Sequence, residues 1–234
     1  MVRKSIKAAV RRHSMLSGIF NYDNPVWRFI GKLCDVLILN VLWIICSIPL
    51  VTMGASTTAV YYVTLKLVRD EEGPIIRSFF KSFKENLKQA TVIWLILLMV
   101  GGLLGFDLYF FLFLEREPSL LRTVMMAIFG AFSMMALLTS MYVFPLQARF
   151  YNPVKRTFFN GFFMSVRHIF HSLAILLIDI GLPLAAIFVL PLLQPLLFLF
   201  GFPLLAFLNS YLLAGIFDQY MPENKGDGRE HPLD

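Results

Sequence analysis

Charge is what this chain has least of. Only 15% of its 234 residues are Asp, Glu, Lys or Arg, against roughly 25% in an ordinary soluble domain. Cysteine is nearly absent too: there are two, Cys34 and Cys46. A helix would hold them about 18 Å apart, too far to pair, so a disulfide-stapled secreted module is excluded and both read as small buried hydrophobes. The chain has no P-loop, GxSxG elbow, dinucleotide-binding glycine fingerprint, HExxH or zinc-spaced cysteine cluster. His168 and His171 stand close in sequence without a third ligand at a recognisable spacing. An interfacial role is expected for them, and no metal or cofactor. The net charge of +6 comes without a zinc-finger, helix-turn-helix or RNA-binding aromatic pattern, so no nucleic-acid partner is expected. These absences favour a non-enzyme, although a membrane enzyme can build a site from scattered polar residues. No catalytic residue is assigned.

What the chain has is apolar surface. Hydrophobic residues make up 58% of it, and the mean hydropathy of +0.70 is more than a core of this size can hide. The fold class is all-α: a polytopic membrane protein. Residues 1–28 form a basic N-terminal segment, in which Lys4 to Phe20 suits a short helix on the inner leaflet and Trp27 an interfacial anchor. The first long apolar run starts only near Phe29, which argues against a signal peptide. Residues 29–217 form one helical membrane domain, and 218–234 a polar tail expected to be disordered. The spans are expected at about Phe29–Ile48, Ala55–Val68, Thr91–Phe113, Leu120–Phe144 (ended by Pro145), Ser172–Leu190 and Leu196–Phe217, six in all. With both termini in the cytoplasm, only Arg116 and Arg122 of the 21 Lys and Arg residues fall outside, as the positive-inside bias requires. The location expected is a cytoplasmic membrane, crossed many times.

Two of the connections read as amphipathic interfacial helices, within residues 69–90 and 146–171. The first is expected to lie flat at the cytoplasmic surface. Arg77-Ser78-Phe79-Phe80-Lys81-Ser82-Phe83 is echoed, 79 positions on, by Arg156-Thr157-Phe158-Phe159-Asn160-Gly161-Phe162. The echo suggests a parallel repeat over about 55–113 and 120–190, related by an axis along the membrane normal. Phe79, Phe83, Lys84, Phe158, Phe162 and Arg167 are the expected partner-facing residues.

Polar groups inside the spans are costly and are read first as functional. Asp35 has Lys32 one turn away and reads as an interfacial ion pair. Asn40 reads as a hydrogen-bonding bridge between helices. Asp107 and Asp179, with Asn209, are the candidates for a polar interior; Arg116 or Arg122 is the rival partner for Asp107, and His171 lies two turns from Asp179. Gly101, Gly102, Gly105 and Gly130 with Ser133 suggest close helix packing. Pro183 and Pro203 sit inside spans and are candidate kinks.

Three stretches carry a family resemblance. The first is Asn40-Val41-Leu42-Trp43 with Ser47-Ile48-Pro49-Leu50-Val51-Thr52-Met53-Gly54. The second is Phe79-Phe80 with Phe83 to Gln89. The third is Tyr142, Pro145-Leu146, Arg149-Phe150, Phe158-Phe159 and Ser165 to His168. In these the chain resembles the YesL-like family of uncharacterised bacterial membrane proteins. The resemblance implies a compact helical membrane protein with an accessory or regulatory role near carbohydrate uptake and utilisation, and it carries over no catalytic residues. The expected partners are the lipid bilayer and a sugar-uptake membrane complex, or a second copy of the chain. The alternative function is a small secondary transporter with its polar interior in spans three, five and six.

Overall fold

The computed structural model describes residues 25–71, 73–114, 119–188 and 191–220. The basic segment up to residue 24, where a helix over Lys4 to Phe20 is expected, the loop 115–118 and the tail from 221 lie outside the described residues. Everything described is helical or connects helices. The elements are α1 (Pro25–Ser47), α2 (Met53–Val68), α3 (Ile75–Tyr109), α4 (Leu120–Arg149), α5 (Val154–Arg167), α6 (Ile169–Leu176), α7 (Leu182–Phe188) and α8 (Gln194–Asp218). Short 3-10 turns precede α2 and α8, and π-helical turns follow α3 (Phe110–Leu114) and separate α6 from α7 (Leu177–Gly181). Five helical stretches are long and apolar enough to cross a membrane: Phe29–Ser47, Ile75–Leu114, Leu120–Arg149, Ile169–Phe188 and Gln194–Asp218.

The sixth expected span, α2, is a different kind of helix. At 16 residues it is about 24 Å long, short of the ~30 Å of a hydrocarbon core. It stands at the centre of the bundle, with α1, α3, α4 and α8 packed around it. Its first turns, Gly54 to Tyr61, are buried without a gap. Small residues allow this. A methyl group on Gly54 would come within 2.5 Å of the Ala90 carbonyl oxygen and 2.6 Å of Trp94 Cβ, so α2 and α3 meet there backbone to backbone. The hydroxyls that go inside with α2 are all bonded: Thr58 Oγ1 to the Gly54 carbonyl at 2.9 Å, Ser56 to Ser47 at 2.6 Å, Thr64 to Ser210 at 2.8 Å. Leu39, Val60, Phe79, Ile93, Tyr142 and Phe207 belong to one continuous core around it.

Several expectations are corrected. The amphipathic stretch at 77–88 is not a separate helix lying flat; it is the first turns of α3, which runs on for 35 residues. No proline interrupts Ile75–Tyr109, so nothing breaks the i→i−4 ladder where the polar segment becomes apolar. At about 52 Å the helix is longer than a bilayer core is thick. The second amphipathic stretch does form its own helix, α5, because His168 (φ −108°, ψ 47°) leaves helical geometry between α5 and α6. Pro145 does not end α4: the helix continues to Arg149, and Pro145 sits buried in its last turns, where neighbouring helices tolerate one missing backbone bond. Gly101, Gly102, Gly105 and Gly130 do not mediate close packing, since a methyl group on any of them would meet nothing within 4 Å.

The kink in α8 follows from its sequence. Pro203 has no N–H for the Leu199 carbonyl, and Gly201 adopts φ 51°, ψ −146°. Asn40 of α1 answers both defects: its Nδ2 donates to Leu199 O at 2.8 Å and to Phe198 O at 3.3 Å. A side chain at 201 would overlap Asn40, whose Oδ1 lies 2.3 Å from where a Cβ would stand.

Candidate functional site

Chemistry gathers at the end of the bundle where α2 and α4 stop and α3 and α5 start. After Val68, Asp70 turns the chain with φ 56°, and the Glu71 N–H returns to the Lys66 carbonyl at 3.1 Å. That turn brings Lys66, Arg69 and Glu71 to one place. Both following helices then begin behind a proline, whose fixed φ suits a helix start. Ser78 N–H bonds to Pro74 O at 2.9 Å and Thr157 N–H to Pro153 O at 3.0 Å.

Side-chain amides join the three helices there. Asn86 of α3 donates to Ser82 O at 3.0 Å, Gln147 of α4 donates to Asn86 Oδ1 at 3.0 Å, and Thr157 of α5 donates to Gln147 Oε1 at 3.3 Å. Gln89 donates to the Asn152 carbonyl. The chain of bonds is buried at Ser82, Gln147 and Thr157, so the amides are held in one orientation.

Against this network lies a pocket of about 210 Å³. Half-buried Lys66 and Arg149 face it from α2 and α4, and Glu71, Lys81, Glu85 and Tyr151 stand exposed around it. The Lys66 ammonium lies 5.0 Å from the centre of the Tyr62 ring, a cation–π contact. Arg149 is within electrostatic range of Arg69, Glu71, Asp218 and Tyr62. Arg69 pairs with Asp218 at the end of α8, yet its Nη1 is buried with no hydrogen-bond partner. Partial burial, then Glu85 and Tyr62, push the Tyr151 phenol up, so it remains a neutral donor.

The residues expected to form a site fall into separate environments. Asn209, fully buried in α8, donates to Asp179 Oδ1 at 2.7 Å, and Asp179 lies in the π-helical turn before Pro183. Asp107 is elsewhere, beside an apolar recess formed with Leu104, Phe132, Thr139 and Phe162. Arg122, its expected rival partner, donates through Nε to the Phe111 carbonyl at 2.8 Å; Arg116 lies outside the described residues. Asp35 is half-buried on α1, and Lys32 reaches across to Asp70 Oδ1 at 2.7 Å. His171 is exposed, whereas His168 Nε2 meets the Tyr220 hydroxyl at 3.0 Å. Burial, then His171 and Arg167, lower the affinity of His168 for a proton. Among the described residues no group of acidic, His and Cys side chains is arranged to hold a metal.

The partner-facing set is corrected in part. Phe79 is 0% exposed and packs in the protein's own core, with the Phe83 and Phe158 rings half-buried against it. Their i, i+4 spacing marks the inward stripe of the helix, not its outer face. Lys84, Phe162 and Arg167 are exposed, Arg167 standing 5.8 Å from the Tyr220 ring. Sequence reading missed the pocket itself. Its only trace was the Tyr62, Lys66, Arg69 row at i, i+4 and i+7 closing an otherwise apolar stretch.

Residues 36–108 match the family described as "Protein of unknown function, DUF624". The matched stretch runs from α1 through α2 to the outer part of α3. It contains the first two resemblance stretches from Asn40 to Gln89, together with Tyr62, Lys66, Lys81 and Asn86 of the pocket. No curated protein and no solved structure matches the chain. The stretch 36–108 is thus similar to that family, and the apolar helices found above are those of a multi-pass membrane protein.

Proposed function

We propose that this protein is an accessory or regulatory membrane component, associated with carbohydrate uptake or utilisation, that acts through the end of its bundle bearing the pocket. That end faces the cytoplasm in this reading. The chain crosses six times, α2 serving as a short inner span, and both termini are inside. One observation carries the reading: the polar chemistry is concentrated at one end and not strung along a path through the bundle. Among the described residues Asp107 and Asp179 line no common cavity, whereas Lys66, Lys81, Arg149, Asn86 and Gln147 share one. Exposed Lys84, Phe162 and Arg167 provide the docking surface. The repeat runs over about 55–113 and 120–190, and in each copy the helix that carries the Phe-rich motif starts behind a proline, Pro74 and Pro153, 79 positions apart.

The test is copurification from native membranes in mild detergent, with photo-crosslinkers at Lys84 and Phe162. An uptake-system subunit enriched near stoichiometry is expected, and recovery of the protein alone would overturn the reading. Orientation is checked by single cysteines at Gly73 and Ser119, which are expected to label from opposite sides. Outside labelling at both would remove the six-span topology.

The second reading, a small secondary transporter, is favoured by the Asn209–Asp179 bond beside a π-helical turn, since such turns recur at functional sites. Uptake into proteoliposomes that survives Asp179→Asn unchanged would discard it.

A further inference from the structure

Past Lys88, α3 carries a single charged side chain, Asp107. Among the described residues its carboxylate accepts no hydrogen bond and makes no ion pair. Leu114, the last residue of the helical stretch, lies seven positions on, so Asp107 stands about 10 Å inside that end. A carboxylate within an apolar span is costly, and such groups pair with one another or with backbone. The recess beside it, of about 520 Å³, lies between two helices. Its α3 wall is Val100, Leu103, Leu104 and Asp107, and its α4 wall repeats the same i, i+3, i+4, i+7 spacing from Phe132 to Thr139. That is the stripe with which one helix meets another. The other polar group of the wall is already satisfied, since Thr139 Oγ1 donates to the Met135 carbonyl at 2.7 Å. Asp107 is left as the unanswered group of an otherwise apolar groove.

We infer that this groove receives a transmembrane helix of a partner protein, one that carries a lysine or arginine at the depth of Asp107. Charge selects the occupant. An acyl chain would cover the apolar walls and leave the carboxylate as it is. The ammonium of a lipid headgroup stays at the surface of the bilayer, about 10 Å from Asp107 along α3. A cation that reaches this depth must be carried in on a spanning element. The long stem of Lys or Arg lies along the apolar wall while its head meets the carboxylate. The walls add van der Waals packing, which holds helices together where burial from lipid does not. The inference rests on the accessory reading in one respect, that a membrane partner exists, and it gives that partner a chemical signature.

The experiment uses the full-length protein in phosphatidylcholine vesicles, labelled with a donor dye through Leu120→Cys after Cys34→Ser and Cys46→Ser. The probes are synthetic Leu/Ala transmembrane helices that carry an acceptor dye. They hold Arg, Leu or Glu seven residues from one end. The Arg helix is expected to reach half-maximal energy transfer at a fivefold or more lower concentration than the Leu helix. Asp107→Asn should remove that advantage, and Asp107→Lys should transfer it to the Glu helix. Leu103→Trp fills the groove from an exposed position, so folding is not at stake, and a threefold or greater loss is expected. Gly101→Leu, which faces the other recess of this helix pair, should leave association intact. Equal association of the Arg and Leu helices would overturn the proposal, and is the result expected if Asp107 is neutralised by a proton alone. An Arg advantage that survives Asp107→Asn would overturn it too, as would transfer between two copies of the protein that Asp107→Asn abolishes, which would give the groove to a second copy. Copurification asks whether a native partner exists, and the designed helices ask what this groove accepts, so either can fail without the other.

Discussion

Helices α2 and α3 are neighbours in sequence and pack on each other, but they obey opposite rules. α2 is rich in Gly, Ala, Ser and Thr and is buried almost throughout, while no residue in the most apolar stretch of α3 is buried. In water this arrangement would be inside out. In a bilayer an aliphatic side chain gains little by leaving lipid for protein, so the hydrophobic effect does not choose which helix goes inside. The choice falls to close packing and to hydrogen bonds, both of which favour small and hydroxylated residues. α2 can be approached closely on every side, and its hydroxyls find partners. The outer half of α3 offers Leu103, Phe106 and Tyr109 to the surroundings, and in this environment that exposure costs nothing.

The sharpest way to break the comparison is to take away the small residue. Gly54→Leu is expected to force α2 and α3 apart, because a single carbon at that position already lies 2.5 Å from a backbone oxygen that cannot rotate away. Even Gly54→Ala should cost about 1–3 kcal/mol, the usual range for overpacking. Gly101→Leu on α3 should change stability by less than about 0.5 kcal/mol, as at other open surface sites. Thermal unfolding in mild detergent, run on the three variants together, checks this. Equal behaviour of Gly54→Ala and Gly101→Leu would mean that the two helices do not meet at Gly54.

The next largest effect divides α3 against itself. Phe79, near its start, is fully buried, whereas Phe106, near its end, is 63% exposed. Phe79→Ala should cost on the order of 3 kcal/mol through the cavity it leaves. Phe106→Ala should be nearly neutral. The same unfolding assay decides, and a Phe106 variant as damaged as the Phe79 variant would show that the outer half of α3 is covered by something in the native assembly.

These contrasts also mark how far the sequence could be read. The long apolar runs announced α1, α3, α4 and α8, and Pro203 announced the kink in α8, because length, hydropathy and a missing N–H are local properties. The centrality of α2 was not local. Ala55 to Val68 read as one more span, shorter and more polar than the rest, and only the closeness of Gly54 to Ala90 and the partnership of Thr64 with Ser210 make it the hub. Phe79 and Phe83 were assigned to the surface because their periodicity reveals a stripe without saying which way the stripe faces. The glycines at 101, 102, 105 and 130 misled for a related reason: a small residue permits close approach but does not compel it. Of the candidate site, Asn209 and Asp179 were grouped with Asp107 in one polar interior, and only the fold bonds the first two and places Asp107 elsewhere. The pocket draws Lys66, Lys81 and Arg149 from three helices, and one sequence carries no signal that they meet.

A smaller effect probes the hydroxyls that accompany α2 inside. Thr64 and Ser210 bond across the α2–α8 contact at 2.8 Å with both residues fully buried. Thr64→Val keeps the shape and removes the bond. A double-mutant cycle with Ser210→Ala should return a coupling of about 0.6 kcal/mol, and at most ~1.7, as for interhelical hydrogen bonds in other membrane proteins. A coupling indistinguishable from zero would attribute the burial of α2 to packing alone and leave Gly54 as the whole explanation.

The smallest expected effect lies just past the last turn of α2, where Lys32 of α1 meets Asp70 at 2.7 Å. Asp70 keeps 49% of its side-chain surface exposed while Lys32 keeps 12%, so the pair is half in water. It should behave as a surface ion pair, and Lys32→Gln should cost less than about 1 kcal/mol. Raising the salt to 1 M, where the screening length falls to about 3 Å, should erase most of that difference. A loss that persists unchanged in high salt would mean that water does not reach the pair. The turn after α2 would then be as closed as α2 itself, and the contrast between the buried helix and its exposed neighbour would extend beyond the membrane.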